Sequence, residues 1–301
     1  MNISTDQVRR FLLQQIKSGD IVIQLILANI AIYLGLQLIA FIEWMLRLSE
    51  APISLFIQNW FFLPASFNDL LIKPYTLLTY MFFHVSFLHL LVNVFMLYFF
   101  GKMIISLRGF KQVLPLYILG GLFGGIFYIF FNHFKLVPMI DTPIAGASAS
   151  IMALMAAVTL IQPNFPLKFF LLFDVKLKWL MFAFALLNIL GLSNAEGAGP
   201  GIIHIGGMLW GFIFIYLESR QISVSKPFNG LVNKLLALFN KRPQPKVSFI
   251  NKEKVARKPQ AKTNADDSQE KIDAILDKIS ANGYESLNRE EKDFLFKASK
   301  K

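Results

Sequence analysis

Few polar residues interrupt the long apolar runs of this chain, and they are of types that do chemistry. The stretch "HVSFLHLLVNVF" carries His84, His89 and Asn93, "GASAS" carries Ser148 and Ser150, and "IIHIGGMLWG" carries His204. A serine hydroxyl becomes a nucleophile when a neighbouring base takes its proton, and His204 is a candidate base for Ser148. No acidic third member is evident nearby. The tetrahedral oxyanion formed by such an attack needs donors already in place. Ser148 opens an apolar run, so it stands where a helix N-terminus offers unpaired N–H groups and the positive end of its dipole. His89 and Asn93 are four apart on one helical face and could add side-chain donors. Gly146 and Ala147 would let backbone and substrate come close.

Other chemistries compete for the same residues. Small-residue runs also mediate close helix packing in membranes, and Gly207 with Gly211 in "GGMLWG" forms a GxxxG pair that fits this use. Close approach of those two segments would itself bring His204 to Ser148. A metal or transport site built on His84, His89 and His204 lacks a carboxylate within these runs. Metal-dependent proteolysis lacks an HExxH helix.

The elements that position these residues follow from composition. Of 301 residues 55% are hydrophobic and only 16% charged, with 31 Phe and no Cys. Those are values of a membrane protein rather than a soluble domain, and no disulfide can form. Apolar stretches of about the ~20 residues needed to cross a bilayer occur at 21–42, 81–101, 113–134, 145–161, 179–195 and 202–217. The aromatic connection 43–80 reads as a loop half-sunk in the interface, and "FPLKFFLLFDVKLKW" as a stretch lying along it. The N-terminal residues 1–20 lack a cleavable apolar core and read as a cytoplasmic interfacial segment.

Lys and Arg collect on one side of the resulting topology, at Arg9, Arg10, Lys17, Lys102, Arg108, Lys111, Lys168, Lys176, Lys178, Arg220, Lys226 and Lys234. The other side holds Arg47, Lys73 and Lys135. The positive-inside rule then places both termini in the cytoplasm of a multi-pass protein of the cell (inner) membrane. The net charge of +11 is explained by contact with anionic lipid, without nucleic acid. The second, fourth and sixth spans run the same way, so their N-terminal ends meet at one external level. Those ends carry three of the four histidines. Polar groups at membrane depth are costly unless paired or facing water, and their convergence marks a site.

At these residues the sequence resembles the rhomboid family of intramembrane serine proteases. The likeness covers roughly residues 20–220 and rests on "HVSFLHLLVNVFMLYFFG", "GASAS" and "HIGGMLWG", in that order on the second, fourth and sixth spans. It implies an all-α membrane protein built as a six-helix bundle over 21–220. It implies Ser148 as nucleophile and His204 as base, a dyad without an acid or cofactor. His89, Asn93 and the Ser148 amide would hold the oxyanion, with His84 structural. Transmembrane segments whose helix is marginal would be the substrates. Ala149 stands where the family most often has Gly, and Met152 where many members have a Tyr stacked on the histidine. The Trp-Arg pair of many external loops is not evident. These departures bear on rate and substrate range. A catalytically silent relative that binds transmembrane clients is the alternative, and retention of both Ser148 and His204 argues against it.

After Leu217 the composition turns basic and polar, and 221–267 reads as a flexible, lipid-attracted linker. In 268–301, Ile272, Ile275, Leu276 and Ile279 keep helical spacing. "NG" marks a turn, and Asn288 with Glu291 resembles a capping box for a second helix carrying Phe294 and Leu295. So short a motif cannot bury a core of its own, and the expectation is docking onto a partner, the bilayer or another copy.

Overall fold

The computed structural model describes residues 20–48, 52–138, 143–169, 173–239, 264–282 and 284–298. The N-terminal segment up to residue 19 and the linker over 240–263 lie outside these. In chain order the described residues form α1 (Ile21–Met45), α2 (Pro52–Phe61), α3 (Phe67–Ile72), α4 (Thr76–Thr79), α5 (Phe87–Arg108), α6 (Val113–His133) and α7 (Ser148–Ile161). There follow strands β1 (Pro166–Phe169) and β2 (Phe173–Lys176), then α8 (Leu177–Gly191), α9 (Ala195–Ser219), α10 (Ser225–Phe239), α11 (Asn264–Asn282) and α12 (Arg289–Ala298).

The protein is an all-α membrane protein with one small hairpin. Among the described residues, four helices are long and apolar enough to cross a membrane: α1, α5, α9, and α6 with the single turn before it. α7 and α8 are apolar but shorter. The 14 residues of α7 rise about 21 Å, and the helix is walled in by α5, α6 and α9. A helix shielded by neighbours need not meet lipid over its whole length.

Several boundaries differ from the sequence reading, each for a local reason. The second apolar run was expected to start at Met81. Instead α5 starts at Phe87, where the Ser86 hydroxyl accepts from the His89 amide at 3.3 Å, and Tyr80–Phe82 is a separate tight turn. α9 begins at Ala195 rather than Ile202 and carries Pro200 as its sixth residue, one position past the first helical hydrogen bonds, so the Glu196 carbonyl goes without the amide partner that a regular helix would give it. The interfacial stretch before α8 folds as the antiparallel β1–β2 hairpin. Within the segment read as a linker, 225–239 forms the helix α10. The described residues of the connection 43–80 form α2, α3 and α4, each too short to cross a membrane. The buried Glu43 carboxylate caps α2 by accepting from the amides of Ile53 and Ser54.

Glycines set the closest approaches. A Cβ at Gly207 or Gly211 of α9 would overlap the backbone carbonyl of Ala149 or Ala153 of α7. A Cβ at Gly124 of α6 would lie 2.7 Å from the Ile203 carbonyl oxygen and 2.8 Å from the Ala149 Cβ. Lipid tails are as apolar as leucine, so helix association here rests on such close packing rather than on hydrophobic expulsion.

Residues 242–301 form a unit separate from residues 1–241. The capping box expected at Asn288 and Glu291 is formed at the start of α12. The Glu291 amide donates to Asn288 Oδ1 and the Asn288 amide to Glu291 Oε2, both at 2.8 Å. Lys278 Nζ reaches both Glu291 oxygens at 2.9 Å. That hydrogen bond from Lys278 holds the Glu291 carboxyl below its ordinary value. Ile275 and Leu287 are buried, while Leu276 stays exposed.

Candidate active site

The chain reaches Ser148 along a pinned path. Ile144 and Leu63 exchange backbone hydrogen bonds at 2.8 and 2.9 Å, and the Gly146 amide donates to the Tyr80 carbonyl at 3.0 Å. Tyr80 is itself fixed, its buried hydroxyl donating to the Gly121 carbonyl of α6 at 2.7 Å. Gly146 then turns with φ +150, a conformation that side chains disfavour. A Cβ at this position would sit 2.8 Å from His89 Cε1 and 3.7 Å from Ser148 Oγ. The absent side chain leaves that space free between the hydroxyl and the His89 ring.

Ser148 is the first residue of α7, so its hydroxyl stands beside the unpaired amides and positive end of the helix. His204 Nε2 lies 2.7 Å from Ser148 Oγ. Gly207, one turn along α9 from His204, is one of the two glycines pressed against α7. The GxxxG packing and the Ser–His approach are therefore parts of one arrangement. Ala147 is buried at the N-cap.

His89 and Asn93 share one face of α5, as their spacing requires. Asn93 is buried and donates one amide hydrogen to the His89 carbonyl at 2.8 Å, which leaves its second amide hydrogen for another acceptor. His84 is buried with its ring edge-on to His89, centroids 5.1 Å apart. Ser150 is turned away, its hydroxyl buried against Met81 Sδ at 3.6 Å. Next to the serine, a cleft of about 350 Å³ is lined by Val85, His89, Tyr128, Ala145, Glu196 and Gly199 among others. Among the described residues no group of three or more His, Cys, Asp or Glu side chains could hold a metal ion.

One participant was missed in the sequence. Asn188 of α8 places its Oδ1 2.8 Å from His204 Nδ1, so the histidine is bonded at both ring nitrogens. A signal for it existed: Asn188 is a lone amide in the apolar run "FALLNILG", and the rule that singles out Asn93 singles it out too.

Chemically, the arrangement offers a hydroxyl with a base in contact, an apolar cleft open beside it, and N–H donors from a helix end and from α5. Those are the parts needed for acyl transfer.

A family model described as a rhomboid domain matches residues 72–221. A second, described as a family of unknown function (DUF6576), matches residues 261–301. The presenilin-associated rhomboid-like protein A, mitochondrial, of Danio rerio is 34% identical over 137 residues, which cover 44% of this chain and 35% of that protein. The RHOMBOID-like protein 12, mitochondrial, of Arabidopsis thaliana is 26% identical over 208 residues, 65% of this chain and 57% of that protein. The chain thus matches less than two thirds of the length of either relative.

Proposed function

This chain belongs to the rhomboid family, and on that premise we propose that it is an intramembrane serine endopeptidase acting through Ser148 and His204. The observation that carries the reading is the 2.7 Å hydrogen bond between Ser148 Oγ and His204 Nε2 at the start of a buried helix. Ser148 Oγ attacks the scissile carbonyl carbon as its proton passes to Nε2. The oxyanion is held by the Ser148 amide with His89 and Asn93. The C–N bond then breaks, His204 returns the proton to the departing amine, and water hydrolyses the remaining ester by the same route.

The substrates are transmembrane segments of other proteins. A peptide bond inside a regular helix is shielded by its hydrogen bonds, so cleavage selects segments whose helix is marginal near small or helix-breaking residues. The membrane domain comprises residues 21–220 with six spans, α7 and α8 being the short ones. The distribution of Lys and Arg supports cytoplasmic termini and a site opening to the opposite face of a cell membrane. The names of both relatives place those proteins in mitochondria. The tail over 268–301, joined by the basic segment 221–267, is a docking element for a partner, the bilayer or a second copy.

The test is cleavage of a reconstituted transmembrane substrate by the full-length protein beside Ser148→Ala and His204→Ala. Cleavage is expected from the parent alone, together with labelling of Ser148 by a fluorophosphonate. Absence of both cleavage and labelling in the parent would shift the reading to a client-binding protein.

A further inference from the structure

Asn188 sits on the helix least suited to hold a polar residue. Of the 15 residues of α8 only Leu177 and Met181 are buried, and Trp179, Phe182, Leu186, Leu187, Ile189 and Leu190 are exposed. An amide there is costly unless it faces the bundle interior and is paired. Asn188 does both. Its Nδ2 donates to the Phe184 carbonyl one turn back at 2.7 Å, and its Oδ1 meets His204 Nδ1 at 2.8 Å.

These two contacts settle which way the amide points. An amide nitrogen donates and an amide oxygen accepts. With Nδ2 committed to a carbonyl, the group facing the imidazole is the oxygen, so Nδ1 must carry the hydrogen. The neutral ring then has Nε2 bare, and that is the nitrogen 2.7 Å from Ser148 Oγ.

The backbones are arranged to permit this contact. A Cβ at Gly201 of α9 would lie 2.8 Å from the Asn188 carbonyl oxygen, and one at Gly197 would lie 2.7 Å from the Gly191 carbonyl oxygen. The turn of α9 that precedes His204 therefore lies directly against the turn of α8 that carries Asn188.

We propose, resting on the protease reading above, that Asn188 is the positioning residue of the base: its Oδ1 fixes His204 in the tautomer that accepts the Ser148 proton and supports the imidazolium that results. The relay is Ser148–His204–Asn188, with a neutral amide in the place of an acid. The choice of amide is physically reasonable at membrane depth. A carboxylate would bring an uncompensated charge into a region of low dielectric whenever His204 is neutral, whereas the amide dipole carries no such cost.

The alternative, that Asn188 merely packs α8 on α9, predicts different behaviour for variants of similar size. Asn188→Leu fills a similar space without an acceptor, and Asn188→Asp keeps an acceptor oxygen at the same reach. Both, with Asn188→Ala, are measured in the full-length reconstituted protein for kcat and KM on a transmembrane substrate. Thermal unfolding in detergent is followed in parallel. Leu and Ala are expected to lower kcat roughly 10–100-fold, the size of one hydrogen bond to a group that becomes charged. KM is expected to hold, since tautomer control acts after binding, with Asp recovering most of the lost kcat. Wild-type kcat in Leu or in Ala, or an Asp variant as slow as Leu, overturns the proposal. A variant that fails to fold is replaced in the comparison by the remaining two. A parent protein that neither cleaves nor labels overturns the protease reading and this relay together, a pattern separate from any variant effect.

Discussion

α7 and α8 are of nearly equal length and both fall short of a full membrane crossing, yet they meet opposite surroundings. From Ala149 to Thr159 every residue of α7 is buried, whereas α8 buries only Leu177 and Met181. The first carries Ser148, the proposed nucleophile, and the second carries Asn188, bonded to Nδ1 of His204, the proposed base. The difference teaches how the site divides its labour. The helix that Ser148 opens is packed against α5, α6 and α9. His204 is aligned from one side by that rigid core and from the other by a helix that faces mostly lipid. A site built this way has one half fixed by the fold and one half that can yield.

The largest effect expected from this contrast comes from the core side. Gly207→Leu pushes a side chain into the Ala149 carbonyl and must separate α7 from α9. Overpacking of this kind costs typically about 1–3 kcal/mol when neighbours can shift, and here the neighbour is backbone. Loss of the folded state, seen as a collapsed thermal transition in detergent, is the expected result. Leu154→Ala, at a site with no exposure, removes contacts at a cost of about 2–5 kcal/mol. If both variants unfold like the parent, α7 is not the rigid half.

Asn93→Ala lies between the two extremes. Asn93 is on α5 and buried, with one amide hydrogen given to the His89 carbonyl, and in the proposed mechanism its other amide hydrogen serves the oxyanion. Losing one such donor lowers kcat by about 10²–10³. The unfolding transition should move little, because the bond lost within the structure is one turn of a helix bonding to itself. Slower cleavage with a broken fold would reassign Asn93 to structure.

The yielding half is tested with the same substitution chemistry on the same helix. Gly201→Ala brings a Cβ to 2.8 Å from the Asn188 carbonyl oxygen, so it should push α8 outward and lengthen the Asn188–His204 contact. Because α8 buries so little, the fold is expected to survive while kcat falls about tenfold, within the range of one weakened hydrogen bond. Equal damage from Gly201→Ala and Gly207→Leu would erase the distinction between the two sides of α9.

Much of this was legible in the sequence, for reasons that also explain the gaps. Membrane spans announce themselves because the bilayer demands long apolar runs: α6 lies within the run 113–134, and the runs 21–42 and 202–217 lie within α1 and α9. The ordered motifs around His89, Ser148 and His204 were readable because topology forces alternate spans to begin on one side. Helix starts were not, since Ser86 capping α5 and Pro200 accepted inside α9 are decided by a single residue each. α10 was hidden by its basic flanks, although Phe228, Leu231 and Leu235 keep helical spacing. Asn188 was not legible because a Ser–His pair points to an acid as its third member, not to an amide. The residue that meets the back of His204 is sixteen positions away on another helix, and nothing in linear spacing connects them.

The smallest expected effect completes the contrast. Leu187 is adjacent to Asn188 on α8 but 65% exposed, on the face that meets lipid. Replacing it with Ala exchanges leucine–lipid contact for alanine–lipid contact, and lipid tails are as apolar as the side chain removed. No cavity is left, because lipid fills the space. The change in stability should stay within about 0.5 kcal/mol, and kcat should match the parent, because neither contact of the Asn188 amide involves Leu187. Measured beside Leu154→Ala by the same unfolding assay, the two leucines should differ by most of the cost of a buried cavity. A Leu187→Ala variant that unfolds as early as Leu154→Ala would mean that α8 is held by contacts on its outer face, such as a second copy of the chain, and that the yielding half of the site is not free to yield.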